Sequence, residues 1–276
     1  MRITLLTDNC RHPERTDLIA QHGLSLWVEW NDHCYLCDMG LDAAFWQNAL
    51  ALHCSIDQAD AAFVSHGHND HSGGLLFFLE RTDRPVYLSA MAPRQHFYSL
   101  RHIAKRDISM PQEVMDRFRQ RLTLLEESTW IQPNMAMVRC PERSWPCPYG
   151  NQFLTALEEE GTEHPDDFCH EYALVFCHTE GLVILSPCSH NGALNICKAC
   201  QDFTGEPRIA AFIGGLHFVD SPLVEKETGA FIEQWRETFP DTLLFTGHCT
   251  CEKAKALLRD QLSNCTIFHT GMQIEL

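Results

Sequence analysis

The stretch VSHGHNDHSGG, Val64 to Gly74, places His66, His68, Asp70 and His71 within six residues and follows them with Gly73 and Gly74. Imidazole and carboxylate are ligands for zinc, iron or manganese, and a four-coordinate catalytic ion takes three protein ligands plus an open position for water. His66 and His68 are two apart, so at a strand end they project to one face, and a tight turn returns Asp70 and His71 toward the same point. One ion does not readily use four donors from so short a loop. The spacing therefore favours two ions sharing it, His66 and His68 on one and Asp70 and His71 on the other, with further ligands from distant strand ends. Gly73 and Gly74 are expected to let the backbone turn sharply before the next helix. Two cations close together lower the pKa of a shared water and polarise a carbonyl or phosphoryl oxygen, so such a site needs no serine or cysteine nucleophile.

The elements that must carry this loop alternate along the chain. Apolar runs predict strands at RITLLTD, LSLWVEW, CYLCDMG, AAFVSHG, PVYLSA, YALVFCH, GLVILSPC, IAAFIGG and TLLFTGH. Amphipathic stretches predict helices over about 42–52, after Gly74, and over about 193–202, 223–238 and 252–262. Both halves run strands first and then helices. A length of 276 residues fits a single domain, 1–276. Between about 92 and 150 a charged helical segment and a loop rich in Pro, Met and Trp read as an insertion, either a surface elaboration or a lid over the site.

A formal charge of -16 repels phosphate backbones and anionic lipid. The basic runs RHIAKR and RFRQR read as a solvated helical face. The expected partner is therefore a small-molecule substrate, with no nucleic acid and no membrane; oligomeric state is not readable. The opening MRITLLTDNC has only a short apolar run before Asp8 and reads as the first strand of a cytoplasmic protein. Fourteen cysteines in such a setting are reduced thiols or ligands rather than a disulfide framework. CYLC (Cys34, Cys37) and CKAC (Cys197, Cys200) have the spacing of structural zinc sites. They fall in a strand and a helix rather than on turns, so a structural metal there is not expected.

SHGHNDHSGG resembles the HxHxDH signature of the metallo-β-lactamase-fold hydrolases. QHGLSLWVEW, LCDMG, HEYALVF, GLVILSPCSHNGALN, IGGLHF and TGHCTCEKAKALL fall in the order seen in the branch that resembles the archaeal dihydropterin ribofuranosyl-aminobenzene phosphate synthase. Cys37, Pro187 and Cys251 depart from that pattern, standing where a Phe-like residue, Gly and Gly are usual. The resemblance implies an α/β fold, a four-layer αββα sandwich of two mixed β-sheets flanked by helices. It implies that His66, His68 and His190 hold one divalent ion and that Asp70, His71 and His248 hold the second, with Zn2+ foremost and Mn2+ or Fe as alternatives. Asp38 matches an aspartate that supports the metal loop, and Asp70 is also expected to orient the attacking hydroxide.

His217 ends another strand and is either a ligand or a group facing substrate. Cys188 is a ligand or a buried thiol, and Cys249 and Cys251 flank the same region. His22 is placed near the site by the resemblance. Glu171 orients a ligand, contacts substrate or simply begins a strand. His12, His33, His53, His96, His102 and His164 have no supporting pattern and read as structural. The implied activity is metal-dependent hydrolysis, or a related transfer, on a small phosphorylated or pterin-like substrate. The alternative is a non-catalytic metal or ligand sensor on the same fold. A di-iron oxidoreductase is disfavoured, because His68 stands where the oxygen-reducing relatives carry glutamate.

Overall fold

Short apolar runs, buried along most of their length, build two seven-stranded sheets. The computed structural model describes residues 1–101 and 103–276, so His102 lies outside the described residues. The chain divides into two compact units, 1–126 with 154–170 and 268–276, and 127–153 with 171–267.

The first unit holds a seven-stranded sheet in the order Gln273–Glu275, Arg2–Thr7, Ser25–Trp30, His33–Cys37, Ala61–Phe63, Val86–Ser89, Leu122–Leu125. Pairing is antiparallel from the first to the fourth strand and parallel from there on. Of the parallel strands, Ala61–Phe63 is buried throughout and Val86–Ser89 nearly so, as inner parallel strands require. Leu75, Phe78 and Leu79 share one face of the Leu75–Arg81 helix, and this face packs with Phe45, Ala49, Leu36, Ala62, Val64 and Val86. A smaller antiparallel sheet, Glu163–Pro165, Leu154–Leu157, His96–Ser99 and Arg106–Asp107, completes this unit.

The second unit holds a seven-stranded sheet in the order Cys265–Ile267, Leu243–Thr246, Ile209–Ile213, Gly181–Leu185, Tyr172–His178, Met135–Arg139, Thr129–Gln132. Its first four strands are parallel and the rest antiparallel. The helices Ala193–Thr204, Val224–Thr238 and Glu252–Gln261 bury Ile196, Cys197, Cys200, Ile232, Trp235 and Leu258 in this unit's core.

All nine expected strands and all five expected helices are present. The span expected as a helical and loop insertion is different: among its described residues the one α-helix is Glu113–Phe118, and it contributes strands to all three sheets. Leu122 and Leu125 are buried, and so are Met135, Ala136, Met137 and Val138. Pro133 and Asn134, which suggested a loop, form the turn between two strands. The CKAC cysteines are buried core thiols, pushed well above their usual pKa by burial. Among the described residues no helix is long and apolar enough to cross a membrane.

Candidate metal centre

The Val64 to Gly74 loop follows the central Ala61–Phe63 strand, at the carboxyl end of the parallel half of its sheet, where open α/β sheets place ligands. Its side chains lie close together: the His66 ring is 4.6 Å from that of His68 and 4.3 Å from that of His71, and His71 Nε2 is 3.6 Å from Asp70 Oδ2. Gly73 and Gly74 act differently from expectation. Their backbones are right-handed helical, with φ of -63° and -75°, so no special turn is needed. Side chains are excluded because a Cβ would lie 2.1 Å from the Leu41 carbonyl oxygen and 2.3 Å from that of Met39.

Hydrogen bonding sets which nitrogen of each imidazole carries its lone pair. Asp38, at φ 58°, accepts from the Ser65 amide, the Ser65 hydroxyl and His71 Nδ1, each at 2.7 Å. The Ser65 oxygen, having donated to Asp38, accepts from His66 Nδ1 at 2.8 Å. His66 and His71 therefore present Nε2 as the basic nitrogen. His68 Nε2 donates to Asp166 Oδ2 at 3.3 Å, which puts the lone pair of His68 on Nδ1. Burial lowers the pKa of His66 well below the ordinary value, with the neighbouring His71 adding to it, and burial also lowers that of His68. Neutral imidazole is the form that binds a cation, so the donor set fits a divalent metal.

Asp166 and His170 are the functional residues that sequence reasoning missed. His170 Nδ1 accepts the Gly67 amide at 3.0 Å, and its Nε2 lies 3.2 Å from both Asp166 oxygens. Burial would raise the Asp166 carboxyl, but His170 and His68 outweigh it and hold the group well below the usual carboxylate range. The signal available was the Asp-to-His spacing of four residues in DDFCHE. His22 stands where the resemblance puts it, exposed, with Nε2 3.2 Å from Asp70 Oδ2.

The second unit carries its own donors, again just past the carboxyl ends of parallel strands. Cys188 and His190 follow Gly181–Leu185, His217 follows Ile209–Ile213, and His248 and Cys249 follow Leu243–Thr246. Ser189, His217 and His248 have φ of 60°, 50° and 44°, strained values that cluster at functional loops. Donor atoms of Cys188, His190 and His217 lie within 4.8 Å of one another, as do those of Cys188, His248 and Cys249. Glu171 has an orienting role: its carboxylate accepts the His190 and Asn191 amides at 2.7 and 2.8 Å. Asn151 donates to the His190 carbonyl and accepts from His190 Nδ1, which puts the His190 lone pair on Nε2. Gly214 lets the two strand ends approach, since a Cβ there would lie 1.9 Å from the Ser186 carbonyl oxygen.

Sequence and fold both match known proteins. Residues 20–185 match the family model described as the metallo-β-lactamase superfamily. The 7,8-dihydropterin-6-methyl-4-(β-D-ribofuranosyl)-aminobenzene-5'-phosphate synthase of Methanocaldococcus jannaschii is 24% identical over 265 residues, covering 88% of this chain and 85% of that protein. An uncharacterized protein of the same organism is 24% identical over 271 residues, 98% of each chain. The solved structure of Tm1679, a metal-dependent hydrolase of the β-lactamase superfamily, aligns with a TM-score of 0.82 at 28% identity, covering 100% of this chain and 99% of that one.

Proposed function

Because the chain belongs to the metallo-β-lactamase superfamily, we propose that it is a metal-dependent hydrolase, or a related transferase, acting on a small molecule. The observation that carries this is the buried, carboxylate-oriented imidazole set of His66, His68 and His71 beside Asp70. His66, His68 and His190 would hold one divalent cation, and Asp70, His71 and His248 the second. Zinc suits this donor set best, with manganese or iron as alternatives. Bound cations would supply a water deprotonated near neutral pH and a Lewis acid for the scissile carbonyl or phosphoryl group.

The chain's own residues do the rest. Asp38 and Asp166 hold the imidazoles in fixed tautomers, so the donors are preorganised. Asp70 would orient the attacking hydroxide, and the exposed His22, with Nε2 3.2 Å from the Asp70 carboxylate, would relay protons between it and solvent. His217 would be a ligand or a group that faces substrate. The synthase named among the relatives supports the transferase form of the reading, and the metal-dependent hydrolase supports the hydrolytic one.

The test is metal analysis followed by phosphodiester, lactone and thioester substrates on protein reconstituted with zinc or manganese. Turnover that disappears in His66→Ala and Asp70→Ala is expected. Protein that takes up no metal and rejects every substrate would defeat the proposal; ligand binding without turnover would favour a sensor.

A further inference from the structure

The donors assigned above to the two cations, His66, His68, His190, Asp70, His71 and His248, set a single carboxylate against two doubly charged ions. Imidazoles neutralise none of that charge, and two cations in one site repel each other unless an anion lies between them. The set is therefore short of an anionic donor, and that donor has to reach both ions.

In the second unit the Cys188 sulfur meets this demand. It forms one group with the donor atoms of His190 and His217, all within 4.8 Å of one another, and a second such group with those of His248 and Cys249. His190 and His248 are assigned to different cations, so Cys188 stands beside a ligand of each. It is buried, yet it does not pack in the apolar cluster that holds the buried thiols Cys197 and Cys200. Backbone geometry brings it there. Ser189, between Cys188 and His190, is left-handed at φ 60°. Gly215 lets the two cysteine loops meet, since a Cβ there would lie 2.4 Å from the Cys249 sulfur and 2.9 Å from the Pro187 carbonyl oxygen. The Cys249 sulfur, 3.6 Å from that of Cys188, accepts the His217 amide at 3.2 Å.

We propose that the Cys188 thiolate bridges the two cations. The inference rests on the two-ion reading and adds to it the anion that the carboxylate and imidazoles lack. Metal binding releases the thiol proton to solvent, and the negative sulfur is then shared by both ions. Its hydrogen bond with Cys249 reverses, so that the Cys249 thiol donates to Cys188. A thiolate bridge also sets metal preference, toward zinc or cadmium and away from manganese or magnesium.

The test is cadmium NMR on the reduced full chain loaded with cadmium alone, because thiolate-bound cadmium resonates far downfield of cadmium held by nitrogen and oxygen. Two resonances are expected, both downfield. Both should move upfield in Cys188→Ser and stay downfield in Cys249→Ser. If Cys188→Ser sheds its metal, Cys188→Asp gives the same readout: its carboxylate should keep both ions and both resonances should move upfield. Native resonances in the nitrogen and oxygen range, or fewer than two that move when Cys188 is replaced, overturn the bridge and leave the two-ion reading standing. Native protein that takes up one cadmium or none overturns both.

Discussion

Asp38 Oδ2 lies 2.7 Å from His71 Nδ1, and both side chains are fully buried. The same carboxylate also accepts the Ser65 amide and hydroxyl, and through Ser65 it sets the His66 ring. One residue thus fixes the tautomers of two imidazoles. Replacing Asp38 with Ala should lower divalent-metal affinity about 10–100-fold, the usual effect of losing a group that orients a ligand. It also leaves buried donors unsatisfied, so stability should fall by about 3 kcal/mol. Competition with a chromogenic chelator and denaturant unfolding measure the two effects; unchanged metal affinity in a folded variant would contradict the assigned role.

How far the sequence could be read follows from where partners lie along the chain. His66, His68, Asp70 and His71 were legible because a single turn brings them together, and the turn is local. Asp166 was not, because its partner His68 is 98 residues away and nothing in DDFCHE marks a contact at that distance. His190 and His248 enter only through resemblance, since each follows a strand whose neighbours are set by sheet order rather than by spacing. The Met135–Arg139 strand was obscured by flanking Pro133 and Trp130, yet pairing with Tyr172–His178 buries four consecutive residues of it. Gly73 and Gly74 read as turn-forming glycines in the sequence, yet what their missing side chains supply is room for two carbonyl oxygens rather than backbone freedom.

The sulfurs of Cys188 and Cys249 lie 3.6 Å apart, and neither is in a disulfide. The Cys249 sulfur accepts from the Cys188 thiol and from the His217 amide at 3.2 Å. Diamide treatment should therefore join these two cysteines ahead of the buried Cys197 and Cys200, whose pKa values burial raises. Non-reducing peptide mapping would identify the bond, and metal uptake should drop until reductant is added. Crosslinks found only among other cysteines would refute the expectation.

Gly150 is packed against His217: a Cβ there would lie 2.7 Å from His217 Cδ2, 2.8 Å from its Nε2 and 2.6 Å from Val219 Cγ1. Gly150→Ala must displace that ring. If His217 faces substrate, kcat/KM should fall about 100-fold, as small misplacements at a reacting centre do. The stability cost should be about 1–3 kcal/mol, that of overpacking. A variant with full activity would remove His217 from the catalytic reading.

His164 and Glu158 form a pair away from the metal donors, with Nε2 to Oε1 at 2.9 Å. His164 is raised from its ordinary 6.5, first by the Pro165 carbonyl and then by Glu158. Glu158 is lowered from 4.5, first by His164 and then by Gln95. The raised histidine stabilises the fold fully below 6.5 and loses that contribution as pH rises through its folded pKa. The lowered carboxylate contributes above 4.5 and loses its share as pH falls through its own folded pKa. Between 4.5 and 6.5 both contributions hold. His164→Gln should therefore destabilise more near pH 5.5 than near pH 8.5, by about 0.5 kcal/mol for so partly exposed a pair. Urea unfolding of both proteins at the two pH values decides it, and an equal difference at both would show that the pair carries no charge-dependent stability.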